Sequence, residues 1–176
     1  MCIRDSEKST PATTQPATAP TSQPTSPFAQ KPQPGQMTAT IVLSDGATLA
    51  GLTWTTPGKP VRLWDDVKKQ YVDLSLEMIA SMEADIVWER DEAEWRFKTS
   101  GSDEKLYTGK TYPARETQYK VTLTNGDTLT GGIVAPIYVK QADGATKQFV
   151  LNKRAKGEVG QTLKELVYVR SIRVEK

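Results

Sequence analysis

The 176-residue chain has no histidine and a single cysteine, Cys2. Without an imidazole it lacks the usual general base, every Ser/His or Cys/His nucleophile pair and the commonest zinc ligand. A lone thiol excludes a disulfide within the chain, so cysteine usage assigns no redox compartment. No run of residues is long and apolar enough to span a membrane as a helix. Other catalytic patterns fail on inspection. Carboxylates cluster at Asp65-Asp66 and at Asp91-Glu92-Glu94, but neighbours in a strand or loop point apart, whereas glycosidic chemistry needs a facing pair. Gly109-Lys110-Thr111 matches the end of a phosphate-binding loop, yet its first glycine would fall at Glu104. The EF-hand calcium pattern is absent. The expectation is a chain that is not an enzyme, with no catalytic residue, cofactor or metal site.

The chain does contain a strong change of composition. Residues 7–36 are rich in Pro, Thr, Ser, Gln and Ala, and seven of the eleven prolines lie between Pro11 and Pro34. Too few large apolar groups are present to offset the entropy of ordering, which predicts a disordered tail over 1–36. Two readings of it stay open: a tail of no consequence, or a spacer holding the folded part off a membrane or wall. Its first residues, Met1-Cys2-Ile3-Arg4-Asp5-Ser6, resemble translated sequencing adapter. That resemblance implies that the natural N-terminus, with any signal or anchor, is missing from this chain.

Beyond the tail, one pattern occurs twice. Ile41-Val42-Leu43-Ser44-Asp45-Gly46-Ala47-Thr48-Leu49-Ala50-Gly51 matches Val121-Thr122-Leu123-Thr124-Asn125-Gly126-Asp127-Thr128-Leu129-Thr130-Gly131 at Leu, Gly, Thr, Leu and Gly. Apolar and polar residues alternate on either side of a glycine, which is the period of a half-buried β-hairpin. A two-residue turn would send Leu129 to the opposite face from Leu123. A three-residue loop, Thr124-Asn125-Gly126 with Gly126 left-handed, keeps Val121, Leu123 and Leu129 together. The same register unites Ile41, Leu43 and Leu49. Gly46, Gly51, Gly126 and Gly131 are expected to shape the turns.

Further β-type runs follow each hairpin: Val61–Trp64 and Tyr71–Leu74, then Ile137–Val139 and Gln148–Leu151. Ile79-Ala80-Ser81-Met82-Glu83 parallels Val169-Arg170-Ser171-Ile172-Arg173 as a closing strand. Before the first of these, the Leu74–Met82 run fits a strand, one helical turn and a strand again, and also a short helix from Leu76 to Met82; the first is preferred by analogy with the second copy. Gln161–Leu166 predicts a similar turn. Five short strands per unit read as a small, bent antiparallel barrel. The opening V-x-L-x-N-G-D-x-L-x-G and the closing V-x-S-I resemble SH3-like and Sm-like small barrels, and residues 95–175 are similar to a module of uncharacterised secreted bacterial proteins. The resemblance implies a mainly β protein with two tandem small barrels, secreted or periplasmic, in the cell envelope. Where Sm-type RNA binders carry a Gly- and Asp-bearing turn, this chain has Leu166–Arg170.

The expected units are 37–88, holding Trp54, Trp64 and Trp88, and 118–176. They are joined by 89–117, in which Glu94–Lys98 is a strand with Trp95 and Phe97 inward, Ser100–Asp103 is a turn and 107–113 is loop. The tryptophans are expected in the core. The hairpins are 80 residues apart (Leu43 to Leu123) and the closing strands 90 (Ser81 to Ser171), which places a ten-residue inserted loop at Asn152–Gln161. Added loops on small barrels are where function tends to sit. Lys153, Arg154 and Lys156 beside Gly157 are the candidate polyanion site. No aromatic residue stands among these cations in sequence, as a single-strand stacking groove would need.

Net charge is +2 but divided. Residues 37–109 carry 8 basic and 13 acidic groups, net −5, while 110–176 carry 12 and 6, net +6. Such halves dock on each other or on a neighbour, or are merely solvated faces. The sequence therefore points to a non-catalytic binding or scaffolding module whose partner is another protein or a second copy of itself. Polyanion or nucleic-acid binding through the basic half is the alternative.

Overall fold

A computed structural model describes residues 35–175. The segment Met1–Ser6 and nearly all of the expected 1–36 tail lie outside the described residues. The described part is mainly β, with strands curled into a half-barrel sheet.

The two matching stretches form the expected hairpins. Strands β1 (Met37–Leu43) and β2 (Thr48–Thr55) pair Ile41 with Leu49. The long β6 (Lys105–Leu123) and β7 (Thr128–Ile133) pair Val121 with Leu129. In both, the loop is three residues long. The Gly46 N–H donates to the Leu43 carbonyl and the Gly126 N–H to that of Leu123, with φ at +88° and +92°. Ile41, Leu43, Leu49 and Val121 are buried, and Leu123 and Leu129 pack partly buried against them. Burying each such side chain is worth roughly 1.5–3 kcal/mol, so a one-residue slip of register would cost several. Gly51 and Gly131 differ from expectation, since they lie within β2 and β7 and not in turns.

Strands β3 (Val61–Asp65) and β4 (Gln70–Leu74) form a second hairpin, followed by one 3-10 turn, Leu76–Met78. The chain then enters β5 (Ile79–Phe97), as the pattern at Leu74–Met82 indicated. Past β7 come β8 (Ala135–Lys140) and β9 (Thr146–Leu151), the short β10 (Arg154–Lys156) and the closing β11 (Val169–Val174).

All eleven strands belong to one antiparallel sheet, ordered β4-β3-β7-β6-β5-β11-β1-β2-β8-β9, with β10 on β6. The order interleaves the two stretches read as separate units. Hairpin β3–β4 is bonded to β7, and hairpin β8–β9 to β2. A short connection explains this. Only Val134 separates β7 from β8, and one residue cannot reverse the chain into an adjacent antiparallel strand, for which two is the usual minimum. The chain therefore runs on, and β8 finds β2.

Strands β5 and β6 pair from Ile79–Leu123 out to Phe97–Lys105 as a two-stranded ribbon, with β11 beside the base of β5 and β7 beside that of β6. Three expectations fail here. Residues 107–113 are strand, not loop. Glu94–Lys98 is a strand up to Phe97, but Trp95 and Phe97 face out, 37% and 53% exposed. No tryptophan belongs to the buried core, which is built of Ile, Leu, Val, Ala and Met with Tyr119. The ribbon has run beyond the sheet by that point, so alternation along it selects between two open faces.

Candidate functional site

The inserted segment does not stand free. Residues Arg154–Lys156 form β10 on the ribbon, paired with Glu116, Arg115 and Ala114. Both carboxylate oxygens of Glu92 accept from Arg154 at 2.7 Å. Glu92 also accepts from Arg90 and from the Tyr112 hydroxyl. Burial opposes its ionisation, and these three hydrogen bonds outweigh burial, so its carboxyl stays below the usual range. Lys153 lies 3.6 Å from Glu116, and Lys156 donates to the Tyr112 hydroxyl at 3.4 Å. The Gly157 N–H donates to Pro113, and a Cβ there would meet the Gln161 side chain and the Pro113 ring.

The fold supplies the aromatic rings that the sequence did not place near these cations. Arg90 and Arg154 stand over the Trp88 ring, 4.5 and 5.4 Å from its centroid, while its indole N–H donates to Glu116. Lys156 stands over Tyr112. The basic insertion and the acidic connecting segment are thus joined by two ion pairs, at Lys153 and Arg154, and by the contact of Lys156 with Tyr112. Polyanion binding draws its free energy from counterions released by cations that lack such carboxylate partners.

Of the other clustered carboxylates, Asp65 and Glu94 are also committed. Asp65 is buried and Asp66 exposed, so the pair does point apart. The Lys68 N–H, against the opposing effect of burial and with help from the Val67 N–H, holds Asp65 below the usual carboxylate range. Glu94 accepts from the Thr108 hydroxyl at 2.6 Å. Among the described residues no cluster of three or more Cys, Asp or Glu is arranged to hold a metal ion.

Arg115 was not singled out by sequence and organises this region. Its side chain is 5% exposed. It donates to Glu89 at 3.0 Å and to the carbonyls of Leu166 and Leu163 at 2.7 and 3.3 Å, and stacks on Tyr168 at 4.3 Å. One guanidinium thereby fastens 163–168 to the ribbon. Arginine supplies several donors in a fixed fork, which a lysine lacks.

Two surfaces remain open. At the ribbon tip, Trp95 meets Phe97 edge to face at 5.0 Å and pairs across the strands with Tyr107, 64% exposed; Leu106, 44% exposed, pairs with Arg96 on the opposite face. Lys105 stands 4.2 Å over the Trp95 ring. At the β3–β4–β7 face, Arg62, Trp64, Tyr71, Gly132, Val134 and Lys153 line an open groove of about 500 Å³.

Comparisons with protein-family models, with curated proteins and with solved structures found no match.

Proposed function

We propose that the chain is a non-catalytic binding module of the bacterial cell envelope that docks a protein partner on the tip of the β5–β6 ribbon. The observation that carries this reading is the cluster Trp95, Phe97 and Tyr107, exposed together on one face of a projecting ribbon. Lys105 supplies a charged rim over the Trp95 ring, and the opposite face of the ribbon carries Arg96 and the Lys98–Glu104 pair. An aromatic centre with a polar rim is the anatomy of a protein interface. From Asp85 to Phe97 the outer edge of β5 has no paired strand among the described residues, which offers main-chain groups to an added strand. Asp85 and Asp91 lie on that length and favour a partner strand carrying cations. The envelope location rests on the likeness to secreted modules and on the Pro- and Thr-rich 7–36 segment as a spacer.

The reading includes two SH3-like or Sm-like halves that exchange hairpins. Supporting it are two runs of five strands in the same relative order, β11-β1-β2-β8-β9 and β5-β6-β7-β3-β4. Each opens with a closing strand beside a glycine-tipped hairpin.

Trp95→Ser with Phe97→Ser is expected to weaken partner capture from envelope extracts at least about tenfold, the loss of hot-spot side chains worth ~1.4 kcal/mol or more. Thermal stability should hardly move, because neither ring belongs to the core. Capture unchanged by the double substitution would remove the tip as the docking surface. Light scattering shows whether the partner is a second copy. Retention on a heparin column is expected to be weak and to end at low salt, since Lys153 and Arg154 already have carboxylate partners. Tight retention with a steep salt slope would restore the polyanion reading.

A further inference from the structure

The groove on the β3–β4–β7 face is a second site, separate from the ribbon tip. Trp64 lies opposite Gly132 on β7 and opposite Tyr71 on β4. The aliphatic stem of Lys153 lies over Gly132, where a side chain would otherwise stand, and beside it the half-buried indole lines the groove. Tyr71 meets it edge to face, with centroids 4.9 Å apart and planes at 67°. Val134, 67% exposed, and Lys153 complete the wall. The volume falls in the usual range for small-ligand sites, about 300–1,000 Å³.

The charges decide what class of ligand fits. Arg62 donates to both oxygens of Asp73, at 2.8 and 3.1 Å. Lys153, the other cation of the groove, lies 3.6 Å from Glu116. Each cation therefore has its own carboxylate, and the two pairs together carry no net charge. A phosphate chain gains its binding from cations in excess, which are missing here. Nor do rings crossing at 67° form the row of parallel faces on which successive bases stack. Charge-neutral pairs that present donors and acceptors side by side suit hydroxyl groups, each of which is both. One aromatic face suits the C–H face of a sugar ring, whose polarised hydrogens meet the negative face of the π system.

We propose that this groove is a saccharide-binding site. One pyranose ring of an oligosaccharide lies on the Trp64 face, with Tyr71 beside it as a wall, and shares its hydroxyls between the Arg62–Asp73 and Lys153–Glu116 pairs. The site is assembled from both matching stretches of the chain, and it exists because β3 sits beside β7.

The experiment titrates the full chain, labelled with nitrogen-15, with chitohexaose, with a galacturonate hexamer and with (dT)12, following the indole N–H signals of the four tryptophans. One or both oligosaccharides are expected to move the Trp64 signal saturably, with Kd of about 1 mM or tighter. The effect should persist at high salt, and the Trp95 signal should stay in place. Trp64→Ala is expected to abolish binding. Tyr71→Ala, at an exposed position outside the core, is expected to weaken it about tenfold and keeps the test valid if the Trp64 variant misfolds. The proposal is overturned if neither oligosaccharide moves the Trp64 signal, if Tyr71→Ala binds as well as wild type, or if only (dT)12 moves it and salt removes the effect. Loss of partner capture at the ribbon tip would leave this result untouched, so the two readings fail separately.

Discussion

Gly51→Ala and Gly131→Ala are each expected to destabilise the protein by about 3 kcal/mol or more, against the roughly 5–15 kcal/mol that holds a domain folded. Neither glycine has a positive φ. The requirement is for space. A Cβ on Gly51 would sit against the main-chain carbonyl of Lys140 on β8, and one on Gly131 against that of Trp64 on β3. Backbone cannot swing aside like the end of a lysine, so the paired strands must part. Gly46→Ala and Gly126→Ala provide the contrast. Nothing lies within 4 Å of a Cβ at either, and the cost is that of a left-handed conformation, roughly 1–2 kcal/mol. Asn at those tips should recover part of the loss, while at 51 and 131 it should recover none. Thermal melts of the four alanine variants check the order. For about 140 folded residues the within-strand pair should lose ~10 °C or more and the tip pair about half of that. Tip variants falling further than strand variants would contradict the interleaved pairing.

Arg115→Ala is expected to cost about 3 kcal/mol and to loosen one region selectively. Removing the guanidinium leaves the Leu163 and Leu166 carbonyls and Glu89 without their donor in a site that is nearly closed to water. Each orphaned group costs about 1–3 kcal/mol, reduced where water enters. Arg115→Lys should recover less than half, because one ammonium cannot span the same acceptors. Hydrogen exchange locates the damage. The amides of Gly157 and Gly160, bonded to Pro113 and Thr111, should exchange faster, while those of β1 and β2 keep their protection. Uniform acceleration across the sheet would mean that Arg115 supports the whole fold and not the 157–168 segment.

These two cases show how far the residues could be read before the fold was known. Gly46 and Gly126 were legible as turn residues because the reason for a glycine at a hairpin tip is local: alternation on both sides and a φ that only glycine takes easily. Gly51 and Gly131 were just as visible, yet their reason lies across the sheet in strands far away in sequence. Arg115 carried no signal, since its partners at Glu89, Leu163 and Leu166 come together only when the insertion folds back on the ribbon. Trp95 and Phe97 misled because alternation shows that two faces differ without showing that either is covered. Lys153, Arg154 and Lys156 stood out as a run of cations, but the partners that meet them, Glu116, Glu92 and the Tyr112 hydroxyl, carried no signal in sequence.

By itself, then, the sequence determined the strands of the two glycine-tipped hairpins, their three-residue loops and the side of each that faces the core. All of these depend on neighbours within a few residues. The tertiary structure decided which hairpin lies beside which strand, because the edges of β2 and β7 look alike and either would accept β3. The choice followed from chain length, with one residue at Val134 too short to turn back. From that choice came the groove at Trp64 and the pairing of the acidic ribbon with the basic insertion, contacts that no local pattern encodes.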